Sequence, residues 1–417
     1  MYQKKIILFF IVLLISTASI AQNVSSPYSI LGIGDIENND YGRYNASGNA
    51  AVSRREAGFY NFSNPASLTA MPYKAINFDF ALRGRVSKFK LQGADTLTAA
   101  TKDFIVKRVS IAFKVTKTTA FAFGIRPYSS VNYQYAAVAA ISDGYDVYLK
   151  NVDGSGGINQ TYFSFAKAIN QHVSVGATAS WLFGSLQNTT AYYNPAIGLD
   201  ITRTAHDFYN AAGLQGGIQY YSLAGKKWQH TFGLTANVYT KLKGENTTEY
   251  LESGSALKTL SPVNIEFKTP VTVSAGYSIA NRQGISFHVQ GTYNKWPTQK
   301  VNYKNSFTKD AYGVNAGVEY SKRIITPNVI LEKYYVAMGV RMEQSYLLIN
   351  NRHINDYAVS FGGGKNISQI LSVNTGIEFG RRGSASLNQI QENYFQFNVG
   401  FTLKNFWFGT KRFGRYN

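Results

Sequence analysis

Nine ionisable residues fall on one parity of alternating segments: Asp79, Arg83, Arg85, Arg108, Arg126, Glu319, Arg341, Glu343 and Glu378. Both signs are present, so two kinds of chemistry are open to them. They can pair with one another or anchor a neighbouring segment, or an Arg can hold a ligand carboxylate with its fork of donors. Catalysis is not indicated. His288 stands two residues from both Ser286 and Gln290. A nucleophile and its base must touch, and alternate residues of a strand are roughly 6–7 Å apart. That spacing reads as a row of polar side chains. The five His residues have no metal-ligand spacing. The chain has no Cys, which excludes thiol catalysis, Cys-ligated metal, disulfides and a lipoprotein anchor. No Gly-rich loop joins a strand to a helix, so no nucleotide site is expected. The expectation is a non-enzymatic chain without metal or cofactor.

These charges need strands to hold them. In Val173, Val175, Ala177, Ala179, Trp181 and Phe183 the apolar side chains share one parity, with Ser174, Gly176, Thr178, Ser180 and Gly184 around them. Successive strand side chains point to opposite faces. A water-soluble barrel turns such a greasy face inward; a membrane barrel turns it outward and needs no packed apolar core.

The N-terminus decides between them. Lys4 and Lys5 precede an apolar stretch from Ile6 to Ile15, and Ser19 and Ala21 are the small residues a signal peptidase reads. Residues 1–21 are expected to be a signal peptide cleaved after Ala21. The apolar stretch is about half the length of a spanning helix, and no later segment comes nearer. With 30 Tyr, 27 Phe and 37 Gly against 9 Pro, the composition suits strands, membrane interfaces and close packing. The net charge of +19 comes from 42 basic and 23 acidic residues. For an exported barrel the expected polyanion is outer-membrane lipid and lipopolysaccharide rather than nucleic acid. A basic tail is read at 409–417, where Lys411, Arg412 and Arg415 follow the last strand.

Fourteen amphipathic runs are expected near 75–90, 104–116, 118–135, 160–168, 172–185, 208–222, 228–244, 268–279, 283–295, 309–321, 332–348, 354–365, 369–381 and 391–404. The fold class is all-β: a 14-stranded antiparallel transmembrane β-barrel over 75–408. Short turns, among them 116–118, 169–171, 225–227, 281–283 and 366–368, alternate with long loops near 136–159, 186–207 and 245–267. The long 322–331 connection is the exception among the turns. An even strand number with short periplasmic turns places both termini in the periplasm. Val109, Ile111, Phe113, Val336, Met338, Val340, Met342, Phe395, Phe397, Val399, Phe401 and Leu403 are expected to face lipid. Phe406-Trp407-Phe408 reads as an aromatic girdle.

Residues 22–74 do not alternate. They are rich in small residues and turn formers, in Ser26-Pro27-Tyr28-Ser29-Ile30-Leu31-Gly32-Ile33-Gly34-Asp35, in 42–51 and in 61–68. A lumen walled by Ser, Gly, Thr and Ala leaves room for a plug, so this segment is expected to fold back into the barrel as a hatch. Tyr28, Tyr44, Phe59, Tyr60 and Phe62 would seal it against the wall or line a greasy groove.

At Gly48, Asn49 and Ala50, and again at Asn64, Pro65, Ala66 and Leu68, the chain resembles the FadL family of outer-membrane hydrophobic-compound transporters. The likeness is to the Bacteroidota type, related to PorV-like barrels. The resemblance implies a hatched, porin-like fourteen-stranded barrel in a Gram-negative outer membrane and a hydrophobic, fatty-acid-like ligand. The expected function is the family default, passage of hydrophobic small molecules across the outer membrane, and the alternative is an accessory barrel that binds other outer-membrane proteins in a secretion or assembly complex. The long outer loops carry many polar and charged residues, which disfavours a greasy entrance.

Overall fold

The structure is a computed structural model and describes residues 26–37, 42–90, 100–140, 147–195, 198–222, 228–301, 305–325, 330–368, 370–385 and 389–406. The signal peptide, Trp407-Phe408 and the basic tail lie outside these residues.

Fourteen staves form one closed antiparallel sheet. They are β1 (Ala75–Lys90), β2 (Ala100–Lys114), β3 (Thr119–Ala140), β4 (Val147–Ala168), β5 (Val173–Asn194), β6 (Leu199–Tyr221) and β7 (Trp228–Tyr239 with Leu242–Glu252). Next come β8 (Ser255–Thr259, Val263–Phe267 and Val271–Asn281), β9 (Ile285–Lys295) and β10 (Ser306–Thr308 with Ala311–Ile325). The set ends with β11 (Ile330–Ile349), β12 (Arg352–Asn366), β13 (Leu371–Arg382) and β14 (Gln391–Phe406). Each stave pairs with its neighbours in sequence, and β14 closes on β1 from Gln391↔Lys90 to Phe406↔Ala75. Closure removes the sheet edges that lipid could not hydrate. No helix among the described residues is long and apolar enough to cross a membrane.

The alternation sets the faces. Val336, Met338, Val340 and Met342 are about half exposed on the outer wall, while Arg341 between them is 6% exposed. On β14 the outward Phe395, Phe397 and Leu403 alternate with buried Gln396, Asn398 and Thr402. On β2 Val109, Ile111 and Phe113 point outward, and Ser110 and Ala112 are buried.

Three expectations are corrected. The long loops at 136–159, 186–207 and 245–267 are largely strand, with β3–β4 paired out to Ala140↔Val147 and β5–β6 to Asn194↔Leu199. Outside a membrane both faces of a hairpin meet water, so its sequence loses the one-sided alternation that marks a membrane strand. The 322–331 connection is also mostly paired, through Ile325↔Ile330. Finally, the barrel does have an interior apolar cluster. Tyr28, Leu31 and Ile33 pack with Tyr128, Phe267, Trp296, Tyr346 and Leu347 toward the long-hairpin end.

The N-terminal segment contributes Tyr28, Leu31 and Ile33 to that cluster. Its short turns are Pro27–Ile30, Asn45–Ser47 and Pro65–Ala70, with a two-residue strand Asp35–Ile36 between the first two. Every residue from Arg43 to Arg54 is buried.

Candidate functional site

The N-terminal segment meets the inner wall where the wall has no side chains. A Cβ added to Gly317 or Gly339 would strike the backbone of Ser47 or Gly48, and one on Gly233 would strike Val52. Gly48 is itself in the left-handed region at φ 67° and sits 2.7–2.8 Å, measured from a would-be Cβ, from the carbonyls of Val340 and Ala316. Glycine suits both partners of such a backbone-to-backbone approach. Asn49 follows at φ 61°, a conformation Asn tolerates. The amides of Ala51 and Val52, just after Ala50, donate to Gln290 Oε1 at 2.8 and 3.0 Å.

The second motif is a capped turn. Asn64 Oδ1 accepts from the Ala66 amide at 3.1 Å, and Pro65 fills the first turn position, where no donor is needed. Asn64 Nδ2 donates to the carbonyls of Val52 (2.9 Å) and Ile218 (3.2 Å), tying the turn to both the segment and the wall. Pro65 and Ala66 lie over Gly176, and Leu68 is buried with Tyr60 and Met71.

The charges form several locks. Glu319 on β10 pairs with Arg43 and, at 2.7 Å, with Arg54, both from the N-terminal segment. Glu332 on β11 takes the other side of Arg43 at 2.5 Å, and Arg54 also reaches Glu56. Glu37 binds Lys107, Arg83 (3.3 Å) and Ser130, while Arg126 donates to its backbone carbonyl. Arg83 also pairs with Asp103. Near the long-hairpin end Asp35 pairs with Arg382 at 2.8 Å. Glu392 there accepts from Arg85 (2.7 Å) and from the Ser26 hydroxyl (2.9 Å). Two further groups join wall to wall. Asp79 pairs with Arg108 across β1 and β2, and Arg341 gathers Glu343, Asp356 and Glu378 at 2.8–3.3 Å.

The aromatic side chains of the segment face guanidinium groups. Arg43 lies 4.8 Å from the Phe59 ring centre and Arg54 4.9 Å from Tyr44. From the wall, Arg126 stands 4.3 Å from Phe62 and Arg382 4.8 Å from Tyr28. Arg108 meets the segment through the Tyr60 ring at 5.6 Å. Burial pushes the Tyr28 phenol up to about 12, so it stays protonated and donates to the Ile390 carbonyl. Burial also lowers Arg55 to about 10, which leaves it charged and bonded to Ser174 and Gln219 at neutral pH.

The reading of His288 is corrected. Its Nε2 lies 3.0 Å from Ser286 Oγ and its Nδ1 2.8 Å from Ser278 Oγ, which in turn is 2.6 Å from Ser53 Oγ. The Cα spacing of alternate residues does not limit side-chain tips that lean toward each other. Both imidazole nitrogens are met by hydroxyls, and neither by a carboxylate that could orient a catalytic base. The relay connects the N-terminal segment to β8 and β9.

Sequence reasoning singled out Glu319, Arg83, Arg85 and Arg126, which lie in the locks above, and Asp79, Arg108, Arg341, Glu343 and Glu378, which lie in the wall-to-wall groups. It missed Lys107, Asp103, Glu332, Asp356, Arg382 and Glu392 on the wall, and Glu37, Arg43, Arg54 and Arg55 on the segment. One cavity inside, of about 240 Å³, has a mixed lining. Arg83, Arg85, Arg126, Arg341 and Arg382 line it together with Asp35, Glu37, Glu343 and Asp356, amides, and Tyr128, Tyr239 and Trp296. Among the described residues no group of acidic or His side chains could hold a metal.

The fold is that of known outer-membrane channels. A Pseudomonas aeruginosa FadL homologue superposes with a TM-score of 0.59 at 9% identity, covering 90% of this chain and 100% of that one. The Pseudomonas putida toluene transporter TodX gives 0.57 at 16% identity, covering 89% and 99%. The CymD monoaromatic hydrocarbon channel gives 0.57 at 13% identity, covering 88% and 98%. No curated protein matches the sequence. The family model for BamG matches residues 1–414. The chain, a FadL-like outer-membrane β-barrel, therefore belongs to the BamG family.

Proposed function

We propose that this chain is a plugged outer-membrane barrel that serves as an accessory subunit of the Bam assembly complex, holding other outer-membrane proteins rather than passing a solute. The observation that carries this is the ion-locked N-terminal segment, with a charge-lined cavity beside it. A hydrocarbon moving through a cavity flanked by five arginines and four carboxylates would strip water from charged groups without replacing their hydrogen bonds, which is costly. Residues 26–74 act here as a fixed hatch, held by buried pairs whose one-sided loss is expensive. Membership of the BamG family supports the same reading.

The transporter reading draws on the likeness to the toluene channels, which is a likeness of fold. One paired experiment separates the two. The tagged chain is isolated from native outer membranes, and the purified barrel is tested in liposomes for uptake of toluene and long-chain fatty acid. Stoichiometric co-isolation of Bam subunits with no saturable uptake is expected. Saturable uptake by a chain that brings down no Bam subunit would refute the proposal.

A further inference from the structure

Among the described residues the ladder between β2 and β3 runs only from Val109↔Ile125 to Lys114↔Ala120. β3 nevertheless continues to Ala140, paired with β4 along its length. Above Ile125 its other edge has lost its barrel neighbour. The N-terminal segment takes the first part of that edge. Asp35 and Ile36 pair with Ser130 and Ser129, and the Glu37 amide donates to the Tyr128 carbonyl at 2.9 Å. The Ser29 hydroxyl then serves Asn132, donating to its carbonyl at 3.3 Å and accepting from its amide at 3.2 Å.

Asn132 fixes the phase of β3 beyond it. In an antiparallel ladder alternate residues present their N–H and C=O to the same edge. Gln134, Ala136 and Val138 therefore aim those groups the way Asn132 does, away from β4. All three are exposed, and their register partners Asp153, Asn151 and Leu149 lie on the β4 side. No described strand pairs with their free edge.

The geometry points to the β3 edge at Gln134, Ala136 and Val138 as a docking edge for one extended strand of a protein partner. A strand fits because the edge offers a row of backbone donors and acceptors, which a hydrocarbon cannot satisfy and another strand can. The chain already shows this edge accepting a strand, at Asp35–Ile36 immediately below. The neighbouring side chains define the rest of the partner. Gln134–Val138 carries no charge, and Tyr135 (43%) and Val138 (69%) are exposed. The strand that fits is short and uncharged, with apolar side chains. This rests on the reading of the chain as a Bam subunit, and the strand is assigned to another outer-membrane protein of that complex.

The test uses the full-length tagged chain in native outer membranes. Ala136→Pro removes one donor from the free edge without removing a donor from the β4 ladder, and proline is tolerated at sheet edges. The co-isolated outer-membrane Bam subunit should fall at least about tenfold relative to bait, with heat-modifiable mobility of the bait unchanged. Independently, a photocrosslinking residue at Val138 in an otherwise unaltered chain should link to a single strand of that subunit. Undiminished co-isolation of the Ala136→Pro chain overturns the inference and leaves the subunit reading standing, as do Val138 adducts confined to lipid. Failure of the unaltered chain to bring down any Bam subunit overturns both.

Discussion

Glu319 is the residue on which the two halves of the molecule turn. It is 3% exposed and faces two guanidinium groups from the N-terminal segment. Two cations against one buried carboxylate would be unstable without the added anions, and Glu332 and Glu56 supply them. Glu319→Gln leaves the shape and removes the charge. Breaking one side of such a buried pair costs roughly 3–5 kcal/mol. If the segment opens locally, the amides from Tyr44 to Arg54 should exchange with solvent more than about a hundredfold faster. Glu266→Gln on the rim breaks only an exposed pair with Lys241 and should leave that exchange unchanged. Equal protection in wild type and Glu319→Gln would show that the segment's other contacts hold it without this pair.

At the scale of the strands, the barrel was legible because lipid imposes a period of two. Val109→Arg and Phe397→Arg each turn a charge toward lipid at a cost of roughly 2–4 kcal/mol near the midplane. Both should lose the heat-modifiable folded band. Thr292→Arg places the same side chain beside the luminal cavity and should keep it. If all three behave alike, the inside–outside assignment fails. The structure narrows which inward positions are permissive. Asn398 faces inward but its amide donates to Asn45 at 2.7 Å, so an Arg there would displace the segment instead of entering open space. The misses have local causes. A register shift between Ala81 and Leu82 lets Lys107 and Arg108 both point inward, and parity identifies only Arg108. A second shift between Lys322 and Arg323 lies opposite Glu332 and hides it in the same way. Arg43, Arg54 and Glu37 sit in a segment with no period at all, so nothing in its spacing names their partners. Its motifs at Gly48 and Asn64 could be seen as turn chemistry, but their targets, luminal glycines on distant strands, exist only once the barrel closes.

At the scale of the whole molecule, the segment and the barrel are held together by buried and half-buried groups of the lumen. That arrangement predicts what removal of the segment does. β1 to β14 form a closed ladder, and β1 begins at Ala75, after the segment ends. Deleting residues 26–60 removes Arg43, Arg54 and Arg55 from the interior along with Asp35, Glu37 and Glu56. It leaves Glu319, Glu332, Arg83, Lys107 and Arg382 facing the lumen without those partners. An aqueous lumen can solvate these groups, whereas the packed one could not. The truncated chain should therefore still insert, but with a water-filled interior. In planar bilayers it should conduct ions, with a dependence on pH and salt that the intact chain lacks. If the segment serves only to seal a docking subunit, a disulfide joining Ser53→Cys to the wall at Ser278→Cys, whose hydroxyl oxygens lie 2.6 Å apart, should leave co-isolation with Bam subunits intact. If instead the segment moves to admit a solute, the same crosslink should abolish uptake. A truncated barrel that inserts without added conductance would mean that other residues close the lumen, and the segment would lose its role as the seal.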